Sequence, residues 1–199
     1  MPDVGFDLPS LGYTFGMKAA LLIIDMQQDF FEKPALRALQ PALVEHINQL
    51  VGVARSHAVP IIWVRQEVKA DGSNAVIGDR KLGKWNVIEG TEGAKLLDDF
   101  VIEPGDLEVI KTRYSSFYKT DLEDKLAKLG TDTLIIAGIN THACVRMVAI
   151  DAYQRDYEVI LALDCIGSWD EEHHRVTVKY LTGKITQPMT NSEIEKALS

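Results

Sequence analysis

Short apolar runs alternate with amphipathic stretches along this chain. The runs are Ala19–Ile24, Pro60–Val64, Leu107–Ile110, Thr133–Ala137 and Glu158–Leu163. Each has the length of a strand and is apolar on both faces, as strands buried inside a parallel sheet are. A weaker sixth run is Lys184–Gln187. Between the runs the apolar positions change to helical spacing. Leu43, Ile47, Leu50, Val51 and Ala54 form one stripe within Ala42–His57. Leu122, Leu126 and Leu129 do the same within Asp121–Leu129, and Val145, Val148, Ala149 and Ala152 further on. Glu171–Leu181 and Ser192–Leu198 read as the last two helices, the final one capped by Asn191 or Ser192. This alternation predicts βαβ units with right-handed crossovers. The expected fold is α/β, a three-layer αβα sandwich around a six-stranded parallel sheet. Residues 65–106 break the rhythm with Asp71-Gly-Ser-Asn74, Gly78, Gly83 and Gly90. A long irregular insertion of this kind in a compact domain reads as a lid or binding loop.

Composition narrows the picture. The 199 residues suit one domain, 1–199, in which residues 1–16 read as an N-terminal arm. Lys plus Arg is 21 and Asp plus Glu is 29, so the formal net charge is −8. That disfavours nucleic acid, which needs a basic surface, and an anionic membrane. Two cysteines, Cys144 and Cys165, are too few for a disulfide scaffold or a Cys-rich zinc site. The N-terminus carries no signal-peptide pattern, and a cytoplasmic protein is expected.

Ligands of open parallel α/β sheets bind at the carboxyl ends of the strands. Asp25 follows the first run, Arg65 and Gln66 the second, Lys111 the third, Gly138–Cys144 the fourth, and Asp164 with Cys165 the fifth. An acid, a base and a thiol therefore share one rim. Thr141 is placed to cap a helix starting near His142, so that the helix N-terminus favours a thiolate at Cys144. Asp25 is suited to take the thiol proton, and Lys111 to hold Asp25 ionised. Each residue alone has a plainer reading, as a small core thiol, a turn aspartate and a solvated lysine.

The same residues resemble a known family, the isochorismatase-like cysteine hydrolases. The matching pieces are Leu21-Leu-Ile-Ile-Asp-Met-Gln-Gln-Asp-Phe30, Glu89-Gly-Thr-Glu-Gly-Ala94, Val109-Ile-Lys-Thr-Arg-Tyr-Ser-Ser-Phe117 and Ala137-Gly-Ile-Asn-Thr-His-Ala-Cys-Val145. The resemblance spans nearly everything from Ala20 to Leu198. It implies a catalytic triad of Asp25, Lys111 and Cys144. It also implies a cis peptide at Ile139–Asn140, and an oxyanion hole from the backbone N–H groups of Asn140 and Cys144. The implied reaction is hydrolysis of a small amide, carbamoyl or ureido compound through a thioester, by a homodimer or homotetramer without a cofactor.

Departures from relatives refine this. Nicotinamidases carry an Asp-x-His pair and a further His that hold a metal. Here the stretch after the second run reads Trp63-Val-Arg-Gln-Glu-Val68, with no His between His57 and His142, so no metal is expected. Gln66 is expected to bond a substrate amide, and Arg65 either a substrate carboxylate or a structural ion pair. Phe30, Tyr114, Phe117 and Trp85 are expected as pocket walls, with Arg113 and His142 undecided. The main alternative is a vinyl-ether hydrolase converting isochorismate to 2,3-dihydroxy-2,3-dihydrobenzoate and pyruvate. A non-enzymatic binding protein and a redox thiol are weaker, because all three triad residues are present and the cysteines are not in a Cys-x-x-Cys motif. Dinucleotide and P-loop sites are disfavoured, since neither glycine motif is present.

Overall fold

A computed structural model of the protein describes residues 17–199. The expected N-terminal arm, residues 1–16, lies outside the described residues. The strands are β1 (Ala19–Ile24), β2 (Ile61–Gln66), β3 (Leu107–Lys111), β4 (Thr133–Ile139), β5 (Glu158–Gly167) and β6 (Gln187–Met189). They form one sheet in the order β3-β2-β1-β4-β5-β6, and every neighbouring pair is parallel. The helices are α1 (Pro34–Ser56), α2 (Ile77–Leu82), α3 (Leu122–Leu129), α4 (Arg146–Tyr153), α5 (Glu171–Leu181) and α6 (Asn191–Leu198).

Side-chain alternation along the strands builds two cores, one on each face. Leu21, Ile23, Ile61, Trp63, Ile135 and Ala137 pack against α1 and Ile194 of α6. Ala20, Leu22, Ile24, Ile62, Val64 and Ile136 pack against α3, α4 and Leu181 of α5. Both faces of the central strands are thus dry, which is why β1 and β4 read as unbroken apolar runs. Among the described residues, no helix is long and apolar enough to cross a membrane.

Several boundaries differ from the pattern read in sequence. Helix α1 starts at Pro34 rather than Ala42, and Pro41 lies inside it. Pro34 occupies the first turn, where a missing N–H costs nothing, while Pro41 gives up one intrahelical bond that the apolar stripe outweighs. β5 runs on to Gly167, so Asp164 and Cys165 are strand residues rather than residues past its end. The ladder between β4 and β5 slips between Ile136 and Gly138, which lets β5 continue beyond the regular pairing. β6 is Gln187–Met189, shifted from Lys184–Gln187. The cap of α6 is Thr190, not Asn191 or Ser192: its hydroxyl accepts from the Glu193 N–H, and Glu193 reaches back to the Thr190 N–H.

Candidate active site

The sheet order changes direction between β1 and β4, and the ends of those two strands supply two of the three candidate groups. Gly138 sits opposite Ile24 with φ +107°, and a Cβ there would lie 2.1 Å from the Ile24 carbonyl oxygen. Only glycine permits this approach, which brings the two strand ends together. Immediately beyond, Asp25 adopts a left-handed conformation with φ 56°, turning its carboxylate back over the strand ends. After β4 the Ile139–Asn140 peptide is cis, and a single π-turn, Thr141–Val145, leads into α4.

Lys111 is the last residue of β3 and is fully buried, with 0% side-chain exposure. Its three donors each have a partner. Nζ lies 2.8 Å from Asp25 Oδ2, 3.3 Å from Gln66 Oε1 and 3.4 Å from Cys144 Sγ. Three strand ends thus converge on one ammonium group. The Gln66 oxygen is taken by Lys111, so the group Gln66 offers to a ligand is its amide N–H₂. The other carboxylate oxygen, Asp25 Oδ1, is buried with no partner in hydrogen-bonding geometry; the nearby thiol influences the carboxylate without being aligned to it.

Burial raises the Asp25 pKa above the ordinary carboxylate value, although the Lys111 charge and the Cys144 thiol pull it back. Burial also opposes the Lys111 charge, but Asp25 and then Cys144 outweigh it and hold the ammonium above its usual value. For Cys144, burial and then the Asp25 carboxylate push the thiol up, more than Lys111 lowers it. The expected thiolate-favouring helix terminus is therefore overridden. Thr141 does not cap: Asn140 holds the cap position without a side-chain bond. The buried Thr141 hydroxyl instead donates to the Gly167 carbonyl at 3.0 Å and accepts from His174 Nδ1 at 2.9 Å. The thiol therefore rests protonated, and the 2.8 Å contact between Lys111 and Asp25 favours the ionised form of that pair against the burial that opposes it.

Asp25, Gln66 and Cys144 lie at the floor of a cleft of about 650 Å³, with Lys111 beneath them. Phe30, Gln66, Tyr114, Asn140 and Cys144 line it, as expected from sequence. Arg65 does not: it pairs with Glu67 at 2.6 Å and Glu108 at 2.7 Å and donates to the Ala94 carbonyl. Its structural reading is the correct one, because Glu108 stands opposite Trp63 in the β2–β3 ladder and so is a same-face diagonal neighbour of Arg65. Trp85 does not line the cleft either; its ring lies over Gly72, where a Cβ would come within 2.5 Å of it. Phe117 is a core residue and Arg113 is tied to the Asn74 carbonyl. His142 does face the cleft, bonded through Nδ1 to Ser168 Oγ at 2.6 Å and edge-on to Trp169.

Four contributors escape sequence reasoning. Gln27, 0% exposed, donates to the carbonyls of Gln66 and Ala94 and accepts from the Gln66 N–H. It clamps the insertion onto the ends of β1 and β2. Asp29 accepts from the Val87 N–H and lies against Gly93, where a Cβ would be 2.0 Å from its oxygen. That contact accounts for the second glycine of Gly90-Thr-Glu-Gly93. Lys33 and Trp169 form the far wall, with Nζ 3.6 Å from the indole ring centre. No His, Cys, Asp or Glu group of three or more among the described residues is arranged to hold a metal ion.

Residues 19–193 match the family model described as the isochorismatase domain. The chain belongs to the isochorismatase family. A probable inactive nicotinamidase of Arabidopsis thaliana is 34% identical over 169 residues, covering 80% of this chain and 85% of that protein. A probable isochorismatase of Pseudomonas chlororaphis is 26% identical over 180 residues, covering 89% of this chain and 84% of that protein. The N-carbamoylsarcosine amidase from Thermoplasma acidophilum superposes with a TM-score of 0.76 at 25% identity, covering 90% of this chain and 99% of that one. The six-stranded parallel sheet with helices on both faces is the fold of this hydrolase family. Isochorismatase and amidase names both occur among the relatives, so membership alone does not choose the bond that is cleaved.

Proposed function

We propose that the protein is a cysteine amidohydrolase that cleaves a C–N bond in a small amide, carbamoyl or ureido compound. The observation that carries this reading is the buried cluster in which Lys111 bridges Asp25 and Cys144 beneath the cleft. A thiol beside a carboxylate is the pairing that nucleophilic acyl chemistry needs. Because the thiol rests protonated, attack and deprotonation occur together. Cys144 Sγ bonds to the carbonyl carbon as its proton passes to Asp25. The resulting oxyanion is held by the backbone N–H groups of Asn140 and Cys144, donors that each contribute about 10²–10³ in rate in such sites. The C–N bond then breaks, and the Asp25 proton leaves with the nitrogen as ammonia or an amine. A water molecule attacks the thioester, giving one proton to Asp25 and releasing the acid. Asp25 returns that proton to the sulfur. Lys111 keeps Asp25 ionised between steps, and the raised Asp25 pKa makes the carboxyl a better proton acceptor for a thiol.

The vinyl-ether reading draws on one observation, the raised Asp25 pKa, since a protonated carboxyl can donate to an enol-ether carbon. The two readings part at Cys144. Ammonia release from a panel of amides, carbamoyl and ureido compounds, measured beside isochorismate turnover, tests them. The amidase reading predicts ammonia from the panel and none from Cys144→Ala. Isochorismate turnover that survives in Cys144→Ala, with no ammonia from the panel, overturns it.

A further inference from the structure

The charges around the cleft say what the non-reacting part of a substrate looks like. Asp25, Asp29, Glu32 and Asp79 line it, against one lysine, Lys33. Glu32 is paired with Arg37 at 3.1 Å and Asp25 with Lys111, so Asp29 and Asp79 are the lining acids with no ion-pair partner among the described residues. Lys111 lies under the floor, committed to Asp25. Lys33 rests on the Trp169 ring, 3.6 Å from its centre, and so is held to one wall. Neither arginine that sequence placed near the rim reaches the cavity, because Arg65 is bound by Glu67 and Glu108 and Arg113 by the Asn74 carbonyl. His142 adds no positive charge at neutral pH: partial burial, and then His173 beside it, hold its pKa below the ordinary value. The remaining walls include the rings of Phe30, Tyr114 and Trp169. Acidic edges with aromatic faces attract cations and accept neutral rings, while a carboxylate meets like charge and finds no fork to bind it.

We propose that this cleft selects amides whose non-reacting portion is neutral or cationic and rejects those that carry a carboxylate there. The inference rests on the amidase reading and narrows it. It separates this chain from hydrolases of N-carbamoyl amino acids or of dicarboxylates, whose substrates need an anchoring cation.

Two size-matched series test it, one aromatic and one aliphatic. The first is benzamide, 4-(aminomethyl)benzamide and 4-carbamoylbenzoate; the second is butanamide, 4-aminobutanamide and succinamate. Ammonia release gives kcat/KM for each in wild type, Asp79→Lys and Lys33→Gln. The expected result is at least about a tenfold preference for the neutral and cationic members over the carboxylate. Asp79→Lys is expected to shrink that ratio, and Lys33→Gln to leave it in place. A carboxylate turned over equally well or better, with that advantage lost in Lys33→Gln, makes Lys33 the anchor; this overturns the charge selection and leaves the amidase reading standing. Ratios unmoved by Asp79→Lys also overturn it. No turnover of any member in either series overturns the amidase reading and the selection with it.

Discussion

The two cysteines occupy superficially similar places and differ in everything that matters for chemistry. Both are buried, and burial raises both thiol pKa values, to about 12 for Cys165 and further for Cys144. Cys165 lies within β5, and its sulfur donates to Asn191 Oδ1 at 3.2 Å. Its hydrogen bond goes to a neutral amide, and the Asp164 carboxylate acts on it only through its charge, raising the pKa further. Cys144 sits beyond β4, 3.4 Å from the Lys111 ammonium that also holds the Asp25 carboxylate. Burial alone makes a thiol inert; burial beside a paired acid and cation makes it a thiol whose proton has somewhere to go.

Mutating each thiol is the sharpest way to break that contrast. Cys144→Ala is expected to lower kcat for amide hydrolysis by at least about 10⁴-fold. Cys165→Ala is expected to keep activity within about threefold and to lose about 1 kcal/mol of stability. Equal losses in a steady-state assay would erase the distinction. Next in size are the partners. Asp25→Asn and Lys111→Met each leave half of a buried pair, with an expected cost of about 3–5 kcal/mol in urea unfolding. Each is also expected to remove about 10²–10⁴ in kcat. No equivalent loss is expected at Asn191, whose contact with Cys165 is neutral.

Gly138→Ala addresses how the Cys144 side is assembled. With φ +107° and a Cβ 2.1 Å from the Ile24 carbonyl, the strand ends must part, at an expected cost of about 3 kcal/mol by thermal melting. The pH profile is a smaller and more discriminating effect. Asp25 acts as a base only when ionised, so kcat/KM rises as pH climbs through a pKa above the ordinary 3.8. Lys111, held above 10.5, stays charged until still higher pH and sets the falling limb there. A rise centred near the ordinary thiol value of about 8.5 would instead mean a thiolate formed before attack. Smallest of all is Arg65→Gln. Its ion pairs lie away from the cleft, so KM is expected to change by less than about twofold and stability by about 1 kcal/mol.

Local pattern carried much of the fold. The apolar runs found β1 to β5, and their alternation with helical stripes found the layers. What failed were the places where tertiary contacts overrule local signals. Pro41 looks like a break but sits within α1, and β5 outlasts its apolar run because the ladder slips beside Gly138. The Thr190 cap was readable, since Glu193 three residues on completes a capping box. At the site, Asp25, Lys111 and Cys144 were legible as strand-end residues in ordered motifs. Arg65 was not, because its partner Glu108 becomes its neighbour only through the β2–β3 register. Gln27, Lys33 and Trp169 were illegible for a similar reason: their roles depend on segments far away in the chain meeting across the cleft.

The central claim, that Cys144 alone is the nucleophile, is tested most directly by mass. Enzyme mixed with a turned-over amide, quenched in acid during steady state and digested, is expected to show the substrate's acyl group as a thioester on the peptide containing Cys144. Acylation at Cys165, or unmodified Cys144 during full turnover, would contradict the account.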